Sequence, residues 1–262
     1  MFGFPKAGHA PGFSFKKNFL NVVTFQLKFP RRKFAEDAFI DIRKLYPQHN
    51  AVQNNEIEIK FEATPVIASS KREDYGGQFR SADGHRLLTL TPDAFTLTIL
   101  NNTYQNFETE YSEFYQQFQQ FASKQAITNV SRIAVRKINA IGFRLQGQET
   151  RVDVLGMVFN PQIAQVFHIL PENSYVNTTL FRNRLADGDF RLNLAYGIPN
   201  YAGRPSPNDQ IILDIDVFTD GPLRELTQIG GIMTEINSVT YDIFRYFISD
   251  PLLKHLEGEE VK

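Results

Sequence analysis

The sequence predicts an α+β protein made of two fused, related halves, with an antiparallel sheet that carries its helices on one face. Three observations predict it. The order strand, helix, strands, helix runs from about Leu20 to Lys124 and returns from about Val130 to Asp250. Segments that read as strands alternate apolar and polar residues with period two, the mark of a sheet with one covered and one solvated face. An Asp-Gly pair, Asp83-Gly84 and later Asp187-Gly188, sits between two strands in each half, and supplies the positive φ angles of a tight hairpin. The halves are placed at 19–126 and 127–262, packed as one unit behind an arm at 1–18.

The arm is rich in Gly and Pro yet carries Phe2, Phe4, Phe13 and Phe15. Disordered tails are poor in aromatics, so these rings are expected to dock, either on the protein's own body or on a partner. Val22–Phe29 alternates, with Val23, Phe25, Leu27 and Phe29 on one side. Pro30 ends that strand, and Phe34, Ala38, Ile42 and Leu45 recur at helical spacing over Arg31–Leu45, which Pro47 stops. Glu56–Ala63 alternates again. Ser81–Gly84 then joins Gln78–Arg80 to Arg86–Leu90, and Thr91-Pro92-Asp93 turns the chain into Phe95–Leu100. Over Phe107–Ser123, Phe107, Tyr111, Phe114, Tyr115, Phe118 and Phe121 form one helical stripe, read as packing on the sheet.

The second half opens with Arg132–Phe143, mostly apolar with two embedded bases, Arg136 and Lys137. Gln146–Leu170 fits helix or strand. Phe181–Leu185, Phe190–Tyr196 and Ile211–Phe218 read as strands, and Gly197–Asp209, with three prolines, as a loop. A final helix is expected over Leu223–Ile248, where Gly230-Gly231 predicts a close backbone contact. The doubled element order is similar to the TATA-binding-protein type of saddle, a curved antiparallel sheet with two long helices on its convex face.

Composition bounds the chemistry. With no cysteine, disulfides, thiol nucleophiles and thiolate zinc sites are excluded, and a reducing, cytoplasmic setting is expected. No apolar run approaches the roughly 20 residues of a membrane span, and Met1–Phe15, broken by Pro5, Gly8, Pro11 and Gly12, does not read as a signal peptide. Net charge is −1, but residues 1–33 hold seven Lys/Arg and no acid, whereas residues 205–262 hold four basic residues against eleven acids. Such asymmetry either steers an anionic partner to one end or draws the termini together.

Asp214 and Asp216 lie two apart, hence on one face of a strand. Paired carboxylates can hold a divalent metal, and here they can equally face Arg132 and Arg136 across the sheet. His9, His49, His85, His168 and His255 show no ligand spacing, Gly76-Gly77 and Gly230-Gly231 match no phosphate loop, and no serine stands in a nucleophile elbow. Arg132, Arg136, Lys137, Arg182, Arg184 and Arg191 make a phosphate-binding stripe if they share a face, with Tyr196 and Tyr201 placed to stack bases.

Val22–Pro30, Phe79–Gly84 with Leu88–Asp93, Arg132–Asn139 and Ile211–Phe218 with the last helix resemble segments of a sporadically distributed, functionally uncharacterised prokaryotic family of similar length, whose first, third and last segments read VVFEIRFP, RIGLRYIN and LILDIDVY. Lys137 stands where that family carries an aromatic, and the Phe-rich arm is an addition to it. The resemblance implies a bacterial or archaeal cytosolic protein carried on mobile or defence-related gene islands, and assigns no catalytic residue.

The function expected is non-catalytic binding or regulation, as an accessory, antitoxin-like or immunity-like component of a defence or toxin system acting by protein–protein contact. A nucleic-acid-binding protein using a basic sheet face is the alternative, and a metal-dependent enzyme at Asp214 and Asp216 the second. No cofactor is expected. The partner expected is another protein, with nucleic acid or a second copy as alternatives, and no membrane.

Overall fold

Period-two alternation dictates the centre of the molecule. In β1 (Leu20–Lys28), Val23, Phe25 and Leu27 are fully buried while Thr24, Gln26 and Lys28 turn the other way. The computed structural model describes residues 1–8, 15, 16, 18–34, 36–60, 67–146, 149–169, 179–199 and 209–258. After β1 come α1 (Ile40–Leu45), β2 (Gln48–Lys60), β3 (Ile67–Arg80), β4 (Arg86–Thr91), β5 (Ala94–Leu100) and α2 (Phe107–Lys124). The chain continues through β6 (Asn129–Val130), β7 (Arg132–Phe143), α3 (Arg151–Val158), α4 (Pro161–Ala164), β8 (Thr179–Asp187), β9 (Phe190–Ile198), β10 (Asp209–Thr219), β11 (Arg224–Glu225), α5 (Ile229–Phe247) and α6 (Asp250–Glu257).

Nine strands form one antiparallel sheet in the order β2-β3-β4-β5-β1-β7-β10-β9-β8, and β6 pairs separately with β11. Phe25 lies opposite Leu97 on one side and Val135 on the other, and Val135 lies opposite Val217. The inward residues of successive strands thus share one face, and both long helices pack on it. Phe114 of α2 stacks on Phe25 with ring centroids 5.4 Å apart and also meets Phe95. Met233, Ile236 and Ile243 of α5 are fully buried in the same core. Rings of this size bury the largest apolar areas, which is why the α2 stripe goes to the core; Tyr111 and Tyr115, at its border, stay half-buried.

Local signals set the turns. Gly84 at φ +75° lets its N–H donate to the Ser81 carbonyl at 2.9 Å, and Asp83 accepts from Ser81 Oγ and the His85 N–H. Thr150 opens α3 by a capping box with Asp153, and the described part of the ambiguous Gln146–Leu170 segment holds α3, α4 and a 3-10 turn at Phe167–Ile169.

Three expectations are corrected. Arg31–Leu45 is not one helix: Arg32 donates from its backbone to Pro92 and from its guanidinium to the Gln125 carbonyl, Phe34 wedges against Phe29 and Phe121, and helix begins only with a 3-10 turn at Glu36. The final helix starts later than expected: residues 224–225 pair with β6, a 3-10 turn spans Leu226–Gln228, and α5 then runs to the expected end, beyond which Ser249 caps a further helix with Pro251 in its first turn. Gly230-Gly231 makes no close backbone contact, since a Cβ at Gly231 would meet open space and one at Gly230 only the Tyr111 hydroxyl. Residues 61–63 of the predicted strand Glu56–Ala63 lie outside the described residues, as does most of the Gly197–Asp209 loop. Among the described residues no helix is long and apolar enough to cross a membrane.

Candidate functional site

A strand between two layers presents alternate residues to different worlds, and β7 does this with two adjacent cations. Thr24 of β1 lies opposite both Thr98 and Arg136, Asp216 lies opposite Arg136 and Asn193, and Arg184 lies opposite Asn193. Arg132, Arg136, Arg182, Arg184 and Arg191 are therefore brought together on the face away from the helices. Lys28 and Arg80 join them by the same register.

Lys137 does not. It lies opposite Val23 and Ile215 on the covered face, so its predicted place in the basic stripe is corrected. Tyr196 is also on the covered side, packed among Phe159, Phe181 and Phe247, and cannot stack bases on the open face; Tyr201 lies outside the described residues.

The acidic pair on the open face is held by the strand beside it. Arg136 grips Asp214 with two hydrogen bonds, Nε to Oδ1 at 2.8 Å and Nη2 to Oδ2 at 2.6 Å. Asp216 accepts from Asn193 Nδ2 at 3.0 Å, with Arg132 at 3.5 Å. Burial pushes the Asp216 carboxyl above its ordinary range, against the pull of Asn193 and Arg132. Arg132 is pulled down by its own burial and lies over the Phe218 ring, 3.4 Å from its centroid. The lone pairs of both carboxylates thus face guanidinium and amide donors. Among the described residues no cluster of three or more His, Asp or Glu has the geometry to hold a metal, and His49, His85, His168 and His255 lie apart.

The arm meets the protein's own body. Phe4 packs edge-on against Tyr246 at 5.3 Å and also meets Phe247, Phe15 packs on Tyr241 and Phe244, and the Ala7 N–H donates to Asp242. Phe2 lies against the core and its N–H donates to Asp187. These three rings are therefore seated in cis; Phe13 lies outside the described residues.

One feature escapes any reading of sequence patterns. Between the covered face of the sheet, the start of α2 and the middle of α5 lies a cavity of about 260 Å³, with Lys137 and Asn139 on its floor and Asn237 and Thr240 on its helical side. Lys137 Nζ donates to Asn237 Oδ1 at 2.6 Å and sits 5.8 Å from the Tyr104 ring centroid. Its ammonium is removed from bulk water, though the side chain keeps partial accessibility along the cavity it lines. That burial lowers its pKa to about 8, with Glu108 pulling the other way. The only sequence signal for this site is a charge inside an apolar strand.

Comparison with known proteins gives no matching family model and no similar curated sequence.

Proposed function

We propose that the protein is a non-catalytic binding or regulatory protein that meets an acidic surface of another protein through the open face of its sheet. The observation that carries this is the charge of that face. Outside residues 51–75, Lys28, Arg80, Arg132, Arg136, Arg182, Arg184 and Arg191 of the strands share it with two carboxylates, Asp214 and Asp216, in a chain whose net charge is −1. Arg182 and Arg184 are exposed on β8, at one edge of the sheet. A concentration of one sign accelerates and orients association with the opposite sign. An accessory place in a prokaryotic defence or toxin system is supported only by the family resemblance of the quoted segments.

Nucleic acid is a second reading, favoured by the strand order. Outward from the centre, one half runs β1-β5-β4-β3-β2 and the other β7-β10-β9-β8. In each, the last strand returns beside the first, and the two first strands are neighbours. With α2 and α5 on one face, this supports two related halves and a saddle of the TATA-binding-protein type.

The test is affinity capture from the native host at low salt, comparing the wild type with the double variant Arg182→Glu, Arg184→Glu. A stoichiometric acidic protein that the variant loses is the expected result. Nucleic acid released steeply by salt selects the second reading. A capture unchanged by the charge reversal removes the open face from both.

A further inference from the structure

Among the described residues Lys137 has no carboxylate in salt-bridge contact. An ammonium has three N–H donors and accepts nothing, and one of the three is engaged by Asn237. No described carboxylate forms a salt bridge with it; Glu108, exposed at the rim, acts on it only through space. The Tyr104 ring offers a weak cation–π contact. Because lysine can only donate, Asn237 must turn its Oδ1 to Nζ, which leaves its amide N–H groups for another acceptor. Asn139, almost fully buried, donates to the Leu213 carbonyl at 3.3 Å. At the floor of the cavity the protein therefore offers positive charge and amide donors.

The walls are of the opposite kind. Phe15 and Phe19 from the arm side, Phe107 from α2, Phe244 from α5, and Leu20 and Ile215 from the sheet line much of the rest, beside the polar Asn18, Asn102, Gln105 and Glu108. A space of about 260 Å³, far above what one water needs, admits a small organic molecule. A phosphate would call for arginine forks or a nest of backbone N–H groups, and the cavity offers neither; a single carboxylate suits one ammonium and one amide.

We propose that this cavity binds a small organic carboxylate with an apolar body, the carboxylate on Lys137 Nζ and the Asn237 amide and the body among the aromatic walls. The titratable groups facing the ligand are Lys137, Glu108, Tyr104 and Tyr241. Burial raises both tyrosines above their ordinary value, so they stay neutral below pH 9 and do not compete for the acid. A lysine titrating near 8 remains mostly protonated at neutral pH and becomes more so when an anion arrives.

The experiment is calorimetry on the full chain with 3-phenylpropionate and hexanoate, the matching alcohols 3-phenylpropan-1-ol and hexan-1-ol, and inorganic phosphate. The acids are expected to bind at least tenfold tighter than their alcohols and than phosphate, and Lys137→Met is expected to abolish that preference while still admitting the alcohols. Equal affinity for acid and alcohol, acid binding untouched by Lys137→Met, or no acid binding to the folded wild type each overturns the proposal. Should Lys137→Met not fold, lysine side-chain NMR on the wild type decides: the bound acid must raise the apparent pKa of Lys137 by at least one unit, and an unmoved pKa overturns the site.

Discussion

Arg136 and Lys137 are neighbours in sequence and lie on opposite faces of β7. Arg136, half-exposed on the open face, is held by Asp214 through a forked pair of hydrogen bonds. Lys137, on the covered face, has one amide acceptor and lines a cavity. Solvent exposure and a carboxylate stabilise the first charge; burial disfavours the second and lowers its pKa. The same sign of charge is thus a surface feature on one side of the sheet and a poised, destabilised group on the other. The wider faces repeat the lesson: packing of rings dominates one, and screened polar contacts the other.

The two faces differ most at the core. Phe114→Ala, at a fully buried ring touching Phe25 and Phe95, is expected to lose about 3–5 kcal/mol in urea unfolding, whereas Thr98→Ala on the open face stays within about 0.5 kcal/mol. Next is the ion pair that ties β4 to α2. Arg86 reaches Glu110 at 2.7 Å, and Glu110 has no exposure at all; Arg86→Ala strands that carboxylate and is expected to cost roughly 3 kcal/mol by the same measurement.

Lys137→Met should have the opposite sign. The folded pKa of about 8 lies below the ordinary 10.5, so between those values the unfolded chain binds the proton that the folded one has released. Wild-type stability from this group therefore rises with pH across that window, and below it the folded protein carries the full penalty. The variant is expected to be more stable by about 3 kcal/mol at pH 7, with the advantage shrinking to nothing toward pH 10.5; chemical denaturation of both proteins across that range checks it.

Smaller effects sharpen the contrast. Phe4→Ala, which removes the arm's contacts with Tyr246 and Phe247, is expected to cost about 1 kcal/mol in thermal or urea melts. Asp214→Asn loosens a partly exposed pair and is expected to cost under about 1 kcal/mol, while freeing Arg136 to bind polyanions. Stronger retention on heparin at low salt, with unchanged folding, is the result that checks it.

Much of the frame was legible because it is local. Alternation in Val22–Phe29, the Asp83-Gly84 and Asp187-Gly188 turns and the aromatic stripe of α2 each act over a few residues, and each takes the predicted form. Arg31–Phe34 was not legible: its apolar spacing suits a helix, but hydrogen bonds to Pro92 and Gln125, distant in sequence, hold it otherwise. At the final helix, Ser249 and Pro251 are a local cap signal in sequence, whereas the short pairing at Arg224–Glu225 depends on β6.

For the sites the division is sharper. Period two alone separates Arg136 from Lys137 and puts Asp214 with Asp216, because successive side chains of a strand must point apart. Which of the two faces the helices would cover, and that Asn237 would arrive 100 residues later to meet Lys137 across a cavity, depended on how β1, β7 and β10 pair and where α2 and α5 settle. Alternation is a property of the chain. The dielectric each side meets is a property of the packing, and that packing makes one cation a surface charge and the other a candidate ligand-binding group.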